Sequence, residues 1–241
     1  QPETVPEATA TIQALTYYAW TTTDAGQRQQ ALDRAQGVAD ALLDMETPTV
    51  EAKAAAIRGL IEVGRLGDGD KYVQPAVALF QQLSDDFDPA HGIFNSKNAY
   101  NVDDVAWIID GLNAMVLHGP AAQLQPASAM LLAFFEALMD QSGLQLSAPP
   151  GKNGAMASDF ERNLPSVVYY HGADTPPPPA AGGTSGLGIA PVVATEVTWD
   201  GSAWQVTDPR FTTEGGMHLA NVINWMGPHL GSVGFPPLSL Q

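Results

Sequence analysis

The sequence predicts a mainly α-helical protein made of repeated helical hairpins, with one β-hairpin and a long Pro/Gly-rich segment. Three observations support this fold class. An internal repeat with helical spacing of apolar residues covers residues 1–142, Pro and Gly accumulate in residues 143–190, and apolar residues alternate around a tight turn in residues 191–241. We expect the last segment to pack, as a β-hairpin and a C-terminal helix, on the helical-hairpin repeat domain.

The repeat is a helical pattern that occurs three times. Residues 50–63 align with residues 102–115 at a shift of 52 positions, through the shared pattern V-[ED]-x-x-A-x-x-I-[RD]-G-L. Residues 5–18 fall on the same pattern at a shift of 45. One position is always small: Ala14, Gly59 and Gly111. A small residue lets a neighbouring helix come close, so we predict that these three copies are inner helices packed on two sides.

Each copy is followed by a second predicted helix. The apolar stripes of these helices run from Ala31 to Leu42, from Val73 to Leu83 and from Leu124 to Leu138, and the last should end near Gly143. This alternation of helices resembles the α/α-toroid superfamily, which includes six-hairpin glycosidases, polysaccharide lyases and terpene-cyclase-like proteins. Because the chain has fewer predicted helices than a full ring of that type, the resemblance implies a partial toroid or an open solenoid.

The second half of the chain changes character. Pro176 to Pro179 favour an extended polyproline conformation, and the flanking glycines favour mobility, as in a lid or a linker. Within this segment, the pattern of residues 164–172 predicts a short strand or an anchored extended segment.

A β-hairpin follows the Pro/Gly-rich segment. With Gly201-Ser202 as a two-residue turn, Trp199 faces Trp204 and Val197 faces Val206, on one side together with Val193. The two Trp rings either pack on the helices or, if exposed, stack on a sugar. Pro209 should end the second strand, and a last helix is predicted from Thr213 to Trp225.

Composition excludes several classes of partner and site. The net charge is −16 with ten Lys and Arg and no basic run, which argues against nucleic acid and anionic lipid as partners. The absence of Cys excludes disulfides and thiolate metal sites. The chain begins at Gln1 and has no apolar run near 18 residues, so we expect no membrane span and an exported, extracytoplasmic protein whose leader has been removed.

Candidate catalytic residues lie at the start of the third inner helix and in the Pro/Gly-rich segment. Asn101 is a good N-cap, and Asp103 and Asp104 fall in the first turn, where capping and the helix dipole explain them without chemistry. The alternative is that inner-helix starts line a central cavity, where these carboxylates act as acid and base. In that case the catalytic residues would be Tyr100, Asp103, Asp104, Tyr170 and His171.

Two sets of residues have the chemistry of metal ligands. Oxygen ligands cluster in residues 67–71 and 85–91, where calcium could bind, although neither loop fits an EF-hand and solvated turns explain both. The soft ligands of a copper site are also present: Met217, His218, Met226 and His229. The two Met lie on opposite faces of a helix, which argues against that site. We therefore expect no cofactor, with calcium as the one metal ion that these loops could bind.

The function predicted first is that of a non-catalytic extracytoplasmic binding or assembly protein, such as a soluble subunit of a larger surface complex. Its partner would be a protein or a glycan. The alternative is a carbohydrate-active enzyme, a glycosidase or polysaccharide lyase on an α/α-toroid scaffold. Whether the chain is an enzyme stays open, with the missing catalytic motifs weighing against it. Convergence of the five candidate residues in one cavity would discriminate the two.

Overall fold

The computed structural model describes residues 2–66, 69–146, 192–193, 196–208 and 216–223. In these ranges the chain is mainly helical with small β-sheets, which confirms the prediction of a mainly helical protein with a β-hairpin. The helices are α1 (Val5–Thr21), α2 (Ala25–Leu43), α3 (Val50–Gly64), α4 (Gly69–Asp86), α5 (Val102–His118), α6 (Leu124–Phe135) and α7 (residues 216–223). A 3₁₀ turn, Ala121–Gln123, precedes α6, and a π-helical turn, Glu136–Gln141, follows it.

Side-chain caps explain where several helices begin. Thr4 and Glu7 form a reciprocal capping box at α1, and Thr49 caps α3 by accepting a backbone N–H. The predicted cap of α5 is confirmed, because the Asn101 side chain accepts the Asp104 N–H at 2.9 Å. Each cap satisfies an amide that has no partner inside the helix.

The helices α1, α3 and α5 lie side by side with α3 in the middle, and α2, α4 and α6 each pack on the helix that precedes them. The small residues of the repeat mark the closest approaches. A Cβ added to Gly111 would lie 2.2 Å from the Ala54 carbonyl oxygen, and one added to Gly59 would lie 2.9 Å from Thr9 Oγ1. Thr9 and Ala54 occupy the same position of the sequence repeat. The same two positions therefore meet at both helix interfaces.

Within the described ranges, three small antiparallel sheets accompany the helices. They pair β1 (Phe87–Asp88) with β2 (Ile93–Phe94), β4 (Gln145–Leu146) with β5 (Val192–Val193), and β3 (Ala99–Asn101) with β6 (Glu196–Trp199) and β7 (Trp204–Asp208). The predicted hairpin is β6–β7, with Val197 opposite Val206 and Trp199 opposite Trp204. Val193 does not extend this hairpin, because it pairs with Gln145 in a separate sheet. The short strands β1 to β4 were not predicted from the sequence, whereas β5 was predicted as part of the hairpin.

The hairpin turn is held by an aspartate and a glycine. Gly201 has φ 99°, a conformation that glycine adopts readily. Asp200 accepts the N–H groups of Ser202 and Ala203, each at 2.9 Å. These backbone hydrogen bonds, with that of Ala203 the strongest influence, lower the pKa of Asp200 to about 2. The turn therefore contains a carboxylate that stays ionised well below neutral pH.

The hairpin packs on the helical part of the chain. Trp199 and Trp204 lie with ring centroids 5.4 Å apart, and Trp204 lies 5.9 Å from the Tyr100 ring. Both Trp side chains are half-buried against the main core, and Val197 is fully buried in it. Packing, rather than an exposed sugar platform, accounts for this pair. The strand predicted in residues 164–172 and most of the Pro/Gly-rich segment lie outside the described residues.

Candidate functional site

A cleft of about 930 Å³ lies at the C-terminal halves of α1, α3 and α5. Nine of its lining residues occupy three equivalent repeat positions: Gln13, Tyr17 and Trp20, then Arg58, Glu62 and Arg65, then Asp110, Ala114 and Leu117. Within each helix the three positions are spaced i, i+4, i+7, which places them on one face. The three helices therefore run in the same direction and turn equivalent faces toward one cleft. Its remaining walls come from α2 and α7.

Five side chains in the cleft form one hydrogen-bonded set, here termed the cleft network. Arg58 donates to Glu62 at 2.7 Å and to Asp110 at 3.1 Å. Arg65 donates to the second Glu62 oxygen at 2.7 Å, and Gln13 donates to the second Asp110 oxygen at 3.0 Å. Two guanidinium groups and two carboxylates face each other, so the charges of the network cancel. The network also ties α1, α3 and α5 together.

The network fixes the protonation states of its buried members. Burial by itself would lower the pKa of Arg58, but the adjacent Asp110 and Glu62 outweigh burial and raise it. Burial would raise the pKa of Glu62, but Arg58 and then Arg65 outweigh it and lower the pKa. Glu62 is therefore ionised at neutral pH and holds no proton to donate as a general acid.

An aromatic pair stands at the rim of the cleft. The Trp20 side chain is 79% exposed and Tyr17 is 63% exposed, and their ring centroids lie 6.3 Å apart in an edge-on arrangement. Both belong to the last turns of α1 and both line the cleft. Tyr18, on the same helix, is exposed but does not line it. Exposed large aromatic side chains beside a cavity are typical of binding surfaces.

Asn113 supplies an unsatisfied polar group in the cleft wall. It lies on α5, it is only 3% exposed, and its side-chain oxygen Oδ1 finds no hydrogen-bond partner among the described residues. A buried acceptor without a partner destabilises a protein by about 1–3 kcal/mol. The contacts of the described chain do not explain why an amide stands at this position.

The helix α7 closes one side of the cleft. The His218 ring lies 4.8 Å from the Trp107 ring of α5, in an edge-on arrangement, and His218 Nδ1 lies 3.8 Å from Asp103 Oδ1. Leu219 and Val222 are buried in the main core. A segment distant in sequence therefore contributes a wall to the cleft formed by the repeated helices.

The candidate residues at the start of α5 are not among those that line the cleft. Tyr100 is fully buried, and its hydroxyl donates to the Lys97 carbonyl oxygen and accepts the Phe94 N–H. Burial raises the pKa of Tyr100, so its hydroxyl stays protonated. Asp104 is paired with Lys97 at 2.9 Å, whereas Asp103 approaches His218. None of these three described side chains lines the cleft.

The other two candidates, Tyr170 and His171, lie outside the described residues. The catalytic role of all five residues stays a prediction. The cleft is lined by the later turns of α1, α3 and α5 rather than by their starts, where the sequence predicts a cavity.

The predicted metal loops are only partly described. In residues 85–91, Asp88 contacts His91 Nδ1 at 2.6 Å and accepts the Ala90 N–H. Gly67 and Asp68 of the other loop lie outside the described residues, as do Met226 and His229 of the copper set. Within the described ranges, no three His, Asp or Glu side chains are arranged to hold a metal ion. In the same ranges no helix is both long and apolar enough to cross a membrane.

Apart from His218 of the copper set, the residues that line the cleft were not predicted from the sequence, although one sign of them was present. Gln13, Arg58 and Asp110 share one position of the repeat, directly before the small residue. Oppositely charged residues at one position of a repeated, otherwise apolar pattern indicate an internal ion pair rather than a solvated face. For Trp20 and Asn113 the sequence offered no comparable sign. Comparison with protein-family models, curated proteins and solved structures finds no match to this chain.

Proposed function

We propose that this protein is a non-catalytic binding protein whose ligand site is the cleft between α1, α3, α5 and α7. The observation that carries the proposal is an exposed aromatic pair, Tyr17 and Trp20, in a cavity that Asn113 also lines, where the buried Asn113 oxygen has no partner among the described residues. Ligand sites of proteins typically measure about 300–1,000 Å³ and combine apolar walls with a few placed polar groups. The walls are helices, which hold such groups in fixed positions.

The state of the carboxylates in the cleft favours binding over glycoside hydrolysis. A glycosidase of the common type needs one protonated carboxyl group as acid and one ionised carboxylate. In the cleft, Glu62 and Asp110 are both held by Arg58, and the pKa of Glu62 is lowered. Neither carboxylate is placed to act as the acid. The carbohydrate-active alternative would therefore need catalytic residues from outside the cleft network.

We also propose that the three inner helices belong to a partial α/α toroid or solenoid. The support is that the same two repeat positions meet at both helix interfaces, and that equivalent faces of the three helices turn toward one cleft. An extracytoplasmic location and a role as subunit of a larger surface complex are part of the same proposal. They are supported by the acidic composition and by the Pro/Gly-rich segment, which suits wrapping around a partner.

The proposal is tested by ligand-observed NMR with a fragment library of sugars, aromatic compounds, carboxylates and amines. Wild type is compared with Trp20→Ala, which removes an aromatic wall, and with Tyr18→Ala, which removes an exposed aromatic side chain of the same helix outside the cleft. We expect fragments that bind wild type and Tyr18→Ala but not Trp20→Ala. Absence of binding, or equal binding to both variants, would refute the site. Cleavage of a bound sugar would favour the enzyme.

A further inference from the structure

We infer that the ligand of the cleft is neutral and rich in hydroxyl groups, namely a sugar unit of a neutral oligosaccharide. This inference rests on the proposed binding function and adds the chemical class of the ligand. Three features of the cleft support it independently: the aromatic rim, the cancelled charges of the cleft network, and the acceptor on Asn113.

The aromatic rim matches the mixed surface of a sugar ring. One face of a pyranose carries mainly C–H groups, and its hydroxyl groups point outward around the ring. The exposed faces of Tyr17 and Trp20 can take the C–H face and bury it from water, while the hydroxyl groups remain available to the polar walls. A purely apolar ligand would use the rim but would make no hydrogen bond with the polar side chains of the walls.

The cancelled charges disfavour a charged ligand. An ammonium group entering the cleft would need a free carboxylate, yet Glu62 and Asp110 are both paired with Arg58. An anion would have to displace one of these carboxylates and would approach a chain with net charge −16. The further guanidinium at the rim, Arg28, donates to the carbonyl oxygens of Ala19 and Thr22 at the C-terminal end of α1, where the helix dipole favours a cation. The Arg28 guanidinium is therefore already hydrogen-bonded within the protein.

The Asn113 amide sets a further condition on the ligand. Asn113 lines the cleft, and its side-chain oxygen has no partner among the described residues. A hydroxyl group can donate to an amide oxygen and can also accept from an amide N–H, whereas an ionised carboxylate or phosphate can only accept. A neutral sugar therefore suits this amide better than an anion does.

The experiment is calorimetric titration with matched tetrasaccharides. Neutral tetrasaccharides of glucose, galactose, mannose and xylose are compared with uronic acid and amino-sugar counterparts of the same linkage. We expect at least one neutral tetrasaccharide to bind at least tenfold more tightly than its charged counterparts. Binding should weaken at least tenfold in Asn113→Leu, whose thermal stability should equal or exceed that of wild type. If this variant fails to fold, Asn113→Ala is measured instead.

The matched control is Ser128→Ala. Ser128 Oγ is also a buried side-chain oxygen without a described partner, but it lies on α6 and does not line the cleft, so its removal should leave binding unchanged. Undiminished binding by Asn113→Leu would overturn the inference. Equal affinity for neutral and charged tetrasaccharides would also overturn the inference. If this equal binding is lost in Trp20→Ala, the proposed binding function still stands. Failure of all tetrasaccharides, with fragments still bound in a Trp20-dependent manner, would likewise overturn the ligand class alone.

Discussion

Substitution of Gly111 by alanine tests whether α3 and α5 are packed through a direct contact with the helix backbone. The Cβ of the new residue would lie 2.2 Å from the Ala54 carbonyl oxygen, about 1 Å inside the closest normal contact. The atom it meets belongs to a helix backbone, which cannot rotate away as a side chain can. To accept the methyl group, α3 and α5 would have to separate, and the contacts along their interface would loosen.

The expected magnitude follows from two opposed effects. Overpacking a core destabilises by about 1–3 kcal/mol, and the rigid neighbour places Gly111→Ala toward the upper end. Alanine regains about 0.5–1 kcal/mol through its higher helix propensity. We therefore expect a net loss of about 1–2 kcal/mol in the free energy of unfolding. Gly37→Ala is the matched control, because Gly37 lies inside α2 with nothing within 4 Å of the new methyl group, and it should gain about 0.5–1 kcal/mol.

Urea denaturation of wild type and of both variants measures these differences, provided that the denaturant slopes agree. The free energy of unfolding of a third variant, Gly59→Ala, should lie between those of Gly111→Ala and Gly37→Ala. Its methyl group would meet the side-chain atoms Thr9 Oγ1 and Leu42 Cδ2 at 2.9 and 3.0 Å, and side chains can adjust. If Gly111→Ala proved as stable as Gly37→Ala, the close packing of α3 on α5 described above would be refuted.

Three further predictions concern single polar groups. Glu62→Gln removes a buried carboxylate that Arg58 and Arg65 share, and should reduce the free energy of unfolding by about 2–4 kcal/mol, measured in urea at pH 7. Because the pKa of Glu62 is lowered on folding, its contribution is complete above the ordinary value of 4.5 and is lost as the pH falls below it, so the difference between wild type and variant should shrink from pH 5 downward. Asn101→Ala should lower the free energy of unfolding by about 1 kcal/mol through loss of the α5 cap. Asp200→Ala should lower the melting temperature at pH 7. This difference should shrink as the pH falls from 3.8, where the carboxylate of the unfolded chain takes up its proton, to about 2, where the carboxylate of the folded protein does so.

The parts of the fold that local chemistry dictates could be predicted from the sequence. Asn101 was recognised as a cap because the preference for Asn there depends only on the next three residues. The register of the hairpin followed from a turn and two matched pairs of residues. The strand β3 could not be found in this way, because its three residues form a strand only through pairing with β6, nearly a hundred positions further along the chain.

The position of the cleft could not be predicted in the same way, because it depends on how the helices pack. The repeat showed that Gln13, Arg58 and Asp110 are equivalent, but not on which side of the helices they lie, since a polar position in an amphipathic helix ordinarily faces water. Their meeting requires that both faces of α3 be occupied, by α1 and α5, so that even its polar residues are partly buried. Opposite charges at one repeat position reduce the cost of this burial, because each charge offsets the desolvation penalty of the other. In a repeat protein, a polar position that varies in sign between copies is therefore better evidence for a shared interior than for a solvated surface.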